Sequence, residues 1–321
     1  MAGPVEGHEP TQPAQAVSEA QPAESAERVE PPEGDPSQSP TTGWSPWLAP
    51  IALLLGLVAA LVGGLIVDIP AALFGVSISS EHTPPGLTIA NTAVQDGAFV
   101  LAAIYCAGLG GRIVRAWQFG LRPPGVGWRS ATWMIVLLLV AFVVLAVGWS
   151  EVLEPEKEQL LKDLGTNEGP VLLVLSAALT CVMAPICEEF LFRGFIFTAL
   201  REWRGTLPAA VITGVLFGGV HVLSAPALDL VPLAGLGFGL CLLYRYTGSL
   251  YPGIVAHALN NALAFSDLEG WDWQAPVLMV STLAGIALVV LAAKRIGVIP
   301  VASVAHTDPQ QAGHAIGESN I

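Results

Sequence analysis

The stretch ICEEFLFRGF, Ile186–Phe195, sets two carboxylates and a guanidinium inside a run otherwise as apolar as the middle of a lipid bilayer. Ionisable groups at that depth cost about 2.5 to 3.5 kcal/mol each even on lenient insertion scales, so they face a bundle interior or a wet cavity and mark a working site. Working outward, the question is whether the rest of the chain builds such a bundle around Glu188, Glu189 and Arg193.

The composition is that of a polytopic membrane protein. Of 321 residues, 53% are hydrophobic and 12% charged, with mean hydropathy +0.62, whereas a soluble domain carries about a quarter charged residues. The formal net charge of -13 comes largely from the start of the chain, where Glu6, Glu9, Glu19, Glu24, Glu27, Glu30, Glu33 and Asp35 stand against Arg28. Residues 1–44 are rich in Pro, Ala, Gln and Ser and cannot bury enough apolar surface to offset chain entropy, which predicts a disordered acidic tail. This charge pattern excludes nucleic acid as a partner. No short basic leader precedes the first apolar run near Trp47, so the chain is expected to enter the membrane through its own first helix. Cys106, Cys181, Cys187 and Cys241 all lie in apolar segments without C-x-x-C spacing, which suits small buried hydrophobes better than disulfides or a thiolate metal site.

A bilayer span needs about 20 mostly apolar residues. That length picks out segments near 48–68, 93–111, 132–150, 170–200, 208–223, 228–246, 250–266 and 274–293. The expected fold is therefore an all-α polytopic membrane bundle of about eight transmembrane helices with disordered tails. Along the chain this reads as the tail 1–44, N-terminal helices over 45–165, a functional helical core over 166–296 and a C-terminal tail 297–321.

The basic residues test the count, because cytoplasmic loops are enriched in them. Arg112, Arg115, Arg122 and Arg129 fall in the second connection, Arg201 and Arg204 in the fourth, Arg245 near the sixth, and Lys294 and Arg295 after the last helix. The intervening connections carry Glu81, the Glu151–Glu158 cluster, Asp229, and Asp267 with Glu269 and Asp272. Eight spans with both termini in the cytoplasm satisfy this alternation, and the expected location is the cell (inner) membrane. Trp44, Trp47, Trp203, Trp271 and Trp273 fall near helix ends, where amphipathic rings prefer the interface. The spacings Gly214-x-x-x-Gly218 and Gly235-x-x-x-Gly239 suit close helix packing.

Few other polar groups lie at bilayer depth. At about 1.5 Å per residue, Glu188 lies about 20 Å above Arg201, and His221 lies as far from Pro208 on the next helix. His257 and Asn261, four residues apart on one face of the seventh helix, bracket the same layer. Glu189 and Arg193 have i, i+4 spacing with the acid first, the better order for a helical ion pair. Glu188 points about 100° away and has no such partner, the situation of a general base. Pro185 removes a helical hydrogen bond beside the site.

Amide hydrolysis needs a base to activate water and donors to stabilise the oxyanion. Glu188 with His221 can supply the first, and His257 with the Asn261 amide the second. An alternative wiring takes His221, His257 and Glu189 as ligands of Zn²⁺ and leaves Glu188 as the base, since two His and one Glu form a common catalytic zinc set. H-E-x-x-H spacing is absent, so such a site would be assembled from separate helices.

In order, E-E-x-x-x-R at Glu188, Glu189 and Arg193, F-x-x-x-H at Phe217 and His221, and H-x-x-x-N at His257 and Asn261 resemble the signature of the CPBP family of intramembrane proteases. That family contains the CAAX prenyl proteases of eukaryotes and the Abi or bacteriocin-processing proteins of bacteria. The resemblance covers about residues 170–266. It implies that Glu188 activates water together with His221, that His257 and Asn261 form the oxyanion hole, and that Glu189 and Arg193 support the site. The implied activity is endopeptidase cleavage of a membrane-embedded or prenylated peptide or protein at the lipid bilayer, with or without metal. A non-catalytic scaffold or bacteriocin-immunity protein of the same fold is the competing class.

Overall fold

The computed structural model describes residues 1, 3, 42–78, 83–153, 164–222 and 224–297. Apart from residues 42–44, the tail predicted over 1–44 is outside the described residues except for residues 1 and 3, as is the C-terminal tail beyond residue 297. The described residues from 42 to 297 belong to one compact unit.

Among the described residues the architecture is a polytopic bundle of eight helical rods and no strands. They are α1 (Leu48–Leu73), α2 (Pro85–Gly108), α3 (Gly127–Leu153), α4 (Pro170–Arg204), α5 (Thr206–Gly219), α6 (Leu230–Thr247), α7 (Leu250–Leu268) and α8 (Gln274–Arg295). Six are long and apolar enough to cross a membrane; α5 is apolar but only 14 residues long, and α7 carries the polar site residues. Local chemistry sets many of the ends. Pro85 and Pro170 open α2 and α4, where a missing N–H costs nothing. Ser249 caps α7 by accepting from the Tyr251 amide at 3.3 Å. Gly205 alone, at φ 81°, reverses the chain between α4 and α5, and Gly248 at φ 63° does so with Ser249 between α6 and α7.

Helix α4 is the central rod. From Leu191 to Leu200 every side chain is buried, while α1, α3 and α8 turn Leu61, Leu137, Val144, Val280 and Leu288 outward as an apolar surface suited to lipid. Helix α4 is not regular: it is π-helical over Leu179–Met183 and again over Phe190–Phe197, on either side of the α-helical turns bearing Glu188 and Glu189. The first widened stretch directly precedes Pro185, whose ring would clash with the carbonyl four residues back in a regular helix. Wide turns of this kind occur preferentially at functional sites.

The two glycine pairs have different jobs. A Cβ at Gly218 would meet the Leu230 carbonyl at 2.5 Å, and one at Gly214 would meet the Ala234 carbonyl at 2.7 Å, so α5 and α6 touch backbone to backbone. Gly235 faces Leu145 and Gly239 faces Leu138, so that pair admits leucine side chains of α3 instead.

Trp44 corrects an expectation. It is 3% exposed, wedged with ring centroids 5.1 Å from Phe119 and 4.8 Å from Phe195. Glu202 holds the backbone just before it, accepting from the Thr42 and Gly43 amides at 2.6 and 3.0 Å. The aromatic ring therefore anchors the entry to α1 in protein instead of marking a lipid interface. Trp47, Trp203 and Trp273 are exposed. All four cysteines are free and buried, as their apolar settings predict.

Candidate active site

The site is assembled from α4, α5 and α7, with α6 closing its wall. Arg193 and Glu189 are both fully buried and make the i, i+4 pair, the guanidinium Nη1 donating to Glu189 Oε1 at 2.6 Å. The other guanidinium arm, Nη2, donates to the Gly237 carbonyl of α6 at 2.9 Å. That carbonyl belongs to a helix, so the arginine ties α4 to α6 as well as neutralising the carboxylate. Its Cζ also sits 4.5 Å from the centroid of Phe217 on α5, a buried cation–π contact.

Glu189 spends the same oxygen twice. His257 on α7 places Nδ1 3.1 Å from Oε1, and because the arginine keeps that carboxylate an acceptor, Nδ1 carries the ring proton. Gly253, one turn earlier on α7, permits the approach: a Cβ there would lie 2.9 Å from Glu189 Oε2. Arg193, Glu189 and His257 thus form one hydrogen-bonded chain across two helices. Its far end is His257 Nε2, which lies 3.8 Å from Glu188 Oε2.

That spacing is too long for a hydrogen bond and suits two groups sharing one water. Among the described residues Glu188 Oε2 has no hydrogen-bond partner. Glu188 is also the less buried of the two glutamates, 9% exposed against none for Glu189. The unpartnered carboxylate thus belongs to the glutamate that keeps some accessible surface, while its Oε2 is itself enclosed beside His257.

His221 lies beyond the end of α5, in a turn, where the sequence reading extended the helix to residue 223. Its Nδ1 lies 2.8 Å from the Phe217 carbonyl, one of the orphan acceptors at a helix C-terminus, so Nδ1 carries the proton and Nε2 is left with its lone pair. Among the described residues no hydrogen bond joins His221 to Glu188; the imidazole beside Glu188 is His257. The two histidines are linked through Phe217, whose ring centroid is 5.1 Å from His221 and 5.4 Å from His257. This explains the aromatic of F-x-x-x-H: one ring supports both imidazoles and the guanidinium.

Asn261, one turn beyond His257, donates from Nδ2 to the Thr180 carbonyl at 3.0 Å. Thr180 is in the first π-helical stretch of α4, so the widened turn supplies the acceptor that fixes the amide. One N–H of Asn261 remains uncommitted, since the amide has two.

The zinc set does not fit. Glu189 meets His257 on Nδ1, the nitrogen opposite the one left for a metal, and its Oε1 is held by Arg193 as well. Among the described residues no three His, Cys, Asp or Glu side chains converge as a metal-binding group. Glu189 has the geometry of a group that orients His257, the carboxylate–imidazole pairing that fixes a tautomer.

Residues 170–263 match the family described as type II CAAX prenyl endopeptidase, Rce1-like. The matched segment runs from the start of α4 into α7 and contains Glu188, Glu189, Arg193, Phe217, His221, His257 and Asn261. Over these residues the chain is similar to that family. A curated relative, YdiL of Bacillus subtilis (strain 168), is named as a candidate membrane peptidase; it is 32% identical over 108 residues, which are 34% of this chain. The match spans 41% of that relative's length. No solved structure matches the chain.

Sequence reasoning missed one group beside this site. Asp96 on α2 is 1% exposed and interacts electrostatically with Glu188. The signal that could have found it is an acid inside an apolar span.

Proposed function

We propose that the chain is an intramembrane endopeptidase that hydrolyses a peptide bond with water activated by Glu188. The observation that carries this reading is the wired sequence Arg193–Glu189–His257 ending 3.8 Å from the unpartnered Glu188 oxygen. With Nδ1 donating to Glu189, a neutral His257 presents a lone pair at Nε2. Glu188 and His257 are then both acceptors, and between them they bind the two hydrogens of one water, leaving its oxygen lone pair free to attack. Glu188 takes the proton as the carbon–oxygen bond forms. His221, also with a free Nε2, shares that proton on its way to the leaving nitrogen.

This changes the role of His257. A neutral imidazole whose Nδ1–H is committed to Glu189 cannot donate to an oxyanion, so the free N–H of Asn261 is the donor and His257 orients the water. Glu189 and Arg193 position His257 and close the core. The substrate class is a prenylated CAAX-type peptide or a related membrane-associated segment, cut in the half of the bilayer nearer the arginine-bearing, cytoplasmic ends of α2, α4 and α6. The protein resides in the cell membrane with both termini cytoplasmic.

Purified full-length protein is expected to cleave a farnesylated peptide, with products read by mass spectrometry. His221→Ala should lower the rate by about 10²-fold, the lower range for removing an acid–base partner. Equal cleavage by wild type and His221→Ala removes His221 from the mechanism, and no cleavage by wild type of either a farnesylated or a plain hydrophobic peptide overturns the reading.

A further inference from the structure

Asp96 has no structural work that the described residues reveal. It sits on the buried face of α2 with Phe99 and Ala103, at the i, i+3, i+7 spacing that faces a neighbour. Phe99 reaches α4, its ring lying edge-on 6.4 Å from Phe192, and also packs against Gly56 of α1. Counting about 1.5 Å per residue, Asp96 lies about 18 Å from the Gly108 end of its helix, close to the level of Glu188 on α4. Both of its carboxyl oxygens are buried without a hydrogen-bond partner. Its carboxyl stands close enough to Glu188 and Cys187 of α4 for their charges to interact.

A buried polar group whose donors and acceptors are unmet costs about 1 to 3 kcal/mol, and an apolar residue of similar shape at the same place does not carry that cost. A group kept in such a position without a partner points to a ligand. The α-helical turns of α4 that bear Glu188 pack against the same helix α2, and the reaction proposed above consumes water, the one donor small enough to bridge two carboxyls.

We propose that Asp96 is a positioning residue of the active site, holding the Glu188 carboxylate through a shared water so that its other contacts face His257 and the nucleophile. The proposal rests on the peptidase reading of that site. Asp96 then acts on catalysis through Glu188, and α2, outside the segment matched to the CPBP family, becomes part of the site.

The test uses full-length Asp96→Leu and Asp96→Asn in detergent, with thermal unfolding measured beside kcat and KM on a farnesylated peptide. Asp96→Leu should unfold at the same temperature as wild type or higher, because a buried carboxyl met by a single water stabilises the fold no more than a leucine of similar size does. Its kcat should fall by about 10²-fold, the scale of a misplaced catalytic group, with KM little changed. Asp96→Asn, which keeps an oxygen acceptor and adds a donor, should recover most of kcat. The inference is overturned if Asp96→Leu keeps wild-type kcat, if it melts at lower temperature, or if Asp96→Asn is no better than Asp96→Leu. In those cases active wild type leaves the peptidase reading standing, whereas wild type inactive on all peptides overturns both.

Discussion

Replacing Arg193 with alanine should destabilise the bundle by about 3 to 5 kcal/mol, the cost of stranding one member of a buried ion pair. Arg193 is 0% exposed and its partner Glu189 likewise, so no solvent enters to screen the carboxylate. The loss compounds because the same side chain donates to the Gly237 carbonyl and lies against Phe217. Arg193→Lys restores charge but not the forked geometry that reaches α4 and α6 together, and should recover only part of the stability. The measurement is thermal or denaturant unfolding of purified protein in a fixed detergent. A Glu189→Gln, Arg193→Met double replacement, with no charge left to strand, should be more stable than Arg193→Ala alone.

Glu188→Gln should abolish cleavage while leaving the fold intact. The glutamine amide matches the carboxylate in shape but cannot accept the water proton, so the loss falls on kcat, by about 10²- to 10⁴-fold. Binding should persist, because Glu188 is not part of the Arg193–Glu189–His257 chain that holds the helices. Peptide cleavage and a peptide-binding assay on the same preparation separate the two effects. If Glu188→Gln cleaved at the wild-type rate, Glu188 would not be the base; if it failed to bind peptide, its role would be structural.

The fold was legible because insertion into lipid is severe on sequence: eight apolar runs correspond to the eight rods. The ends were less so. Helix α2 begins at Pro85 and not near residue 93, since Asn91 donates to Asp68 of α1 and the Thr92 hydroxyl to the Thr88 carbonyl, contacts that make polar residues tolerable in a span. Helix α5 stops at Gly219 and leaves His221 in a turn, a boundary that an unbroken apolar run conceals.

The residues of the candidate site could be singled out because each is costly in an apolar helix and their depths along the helices agree. What residue type and depth do not carry is direction. That His257 faces both glutamates, that His221 turns one nitrogen to a backbone carbonyl, and that Asn261 bonds to Thr180 depend on rotamers and on the π-helical turns of α4, which have no signature in hydrophobic spacing. The pairing of Glu188 with His257 instead of His221 follows from those directions. So does the failure of the zinc set, because the ligand types are present and only their orientation excludes it.

The convergence of Glu188 and His257 on one water is tested most directly by a double-mutant cycle on peptide cleavage with Glu188→Gln, His257→Ala and the combined variant. Two groups gripping the same water fail together, so the combined variant should be about as slow as Glu188→Gln alone. Rate losses that multiply would place the two side chains in separate roles and contradict the mechanism.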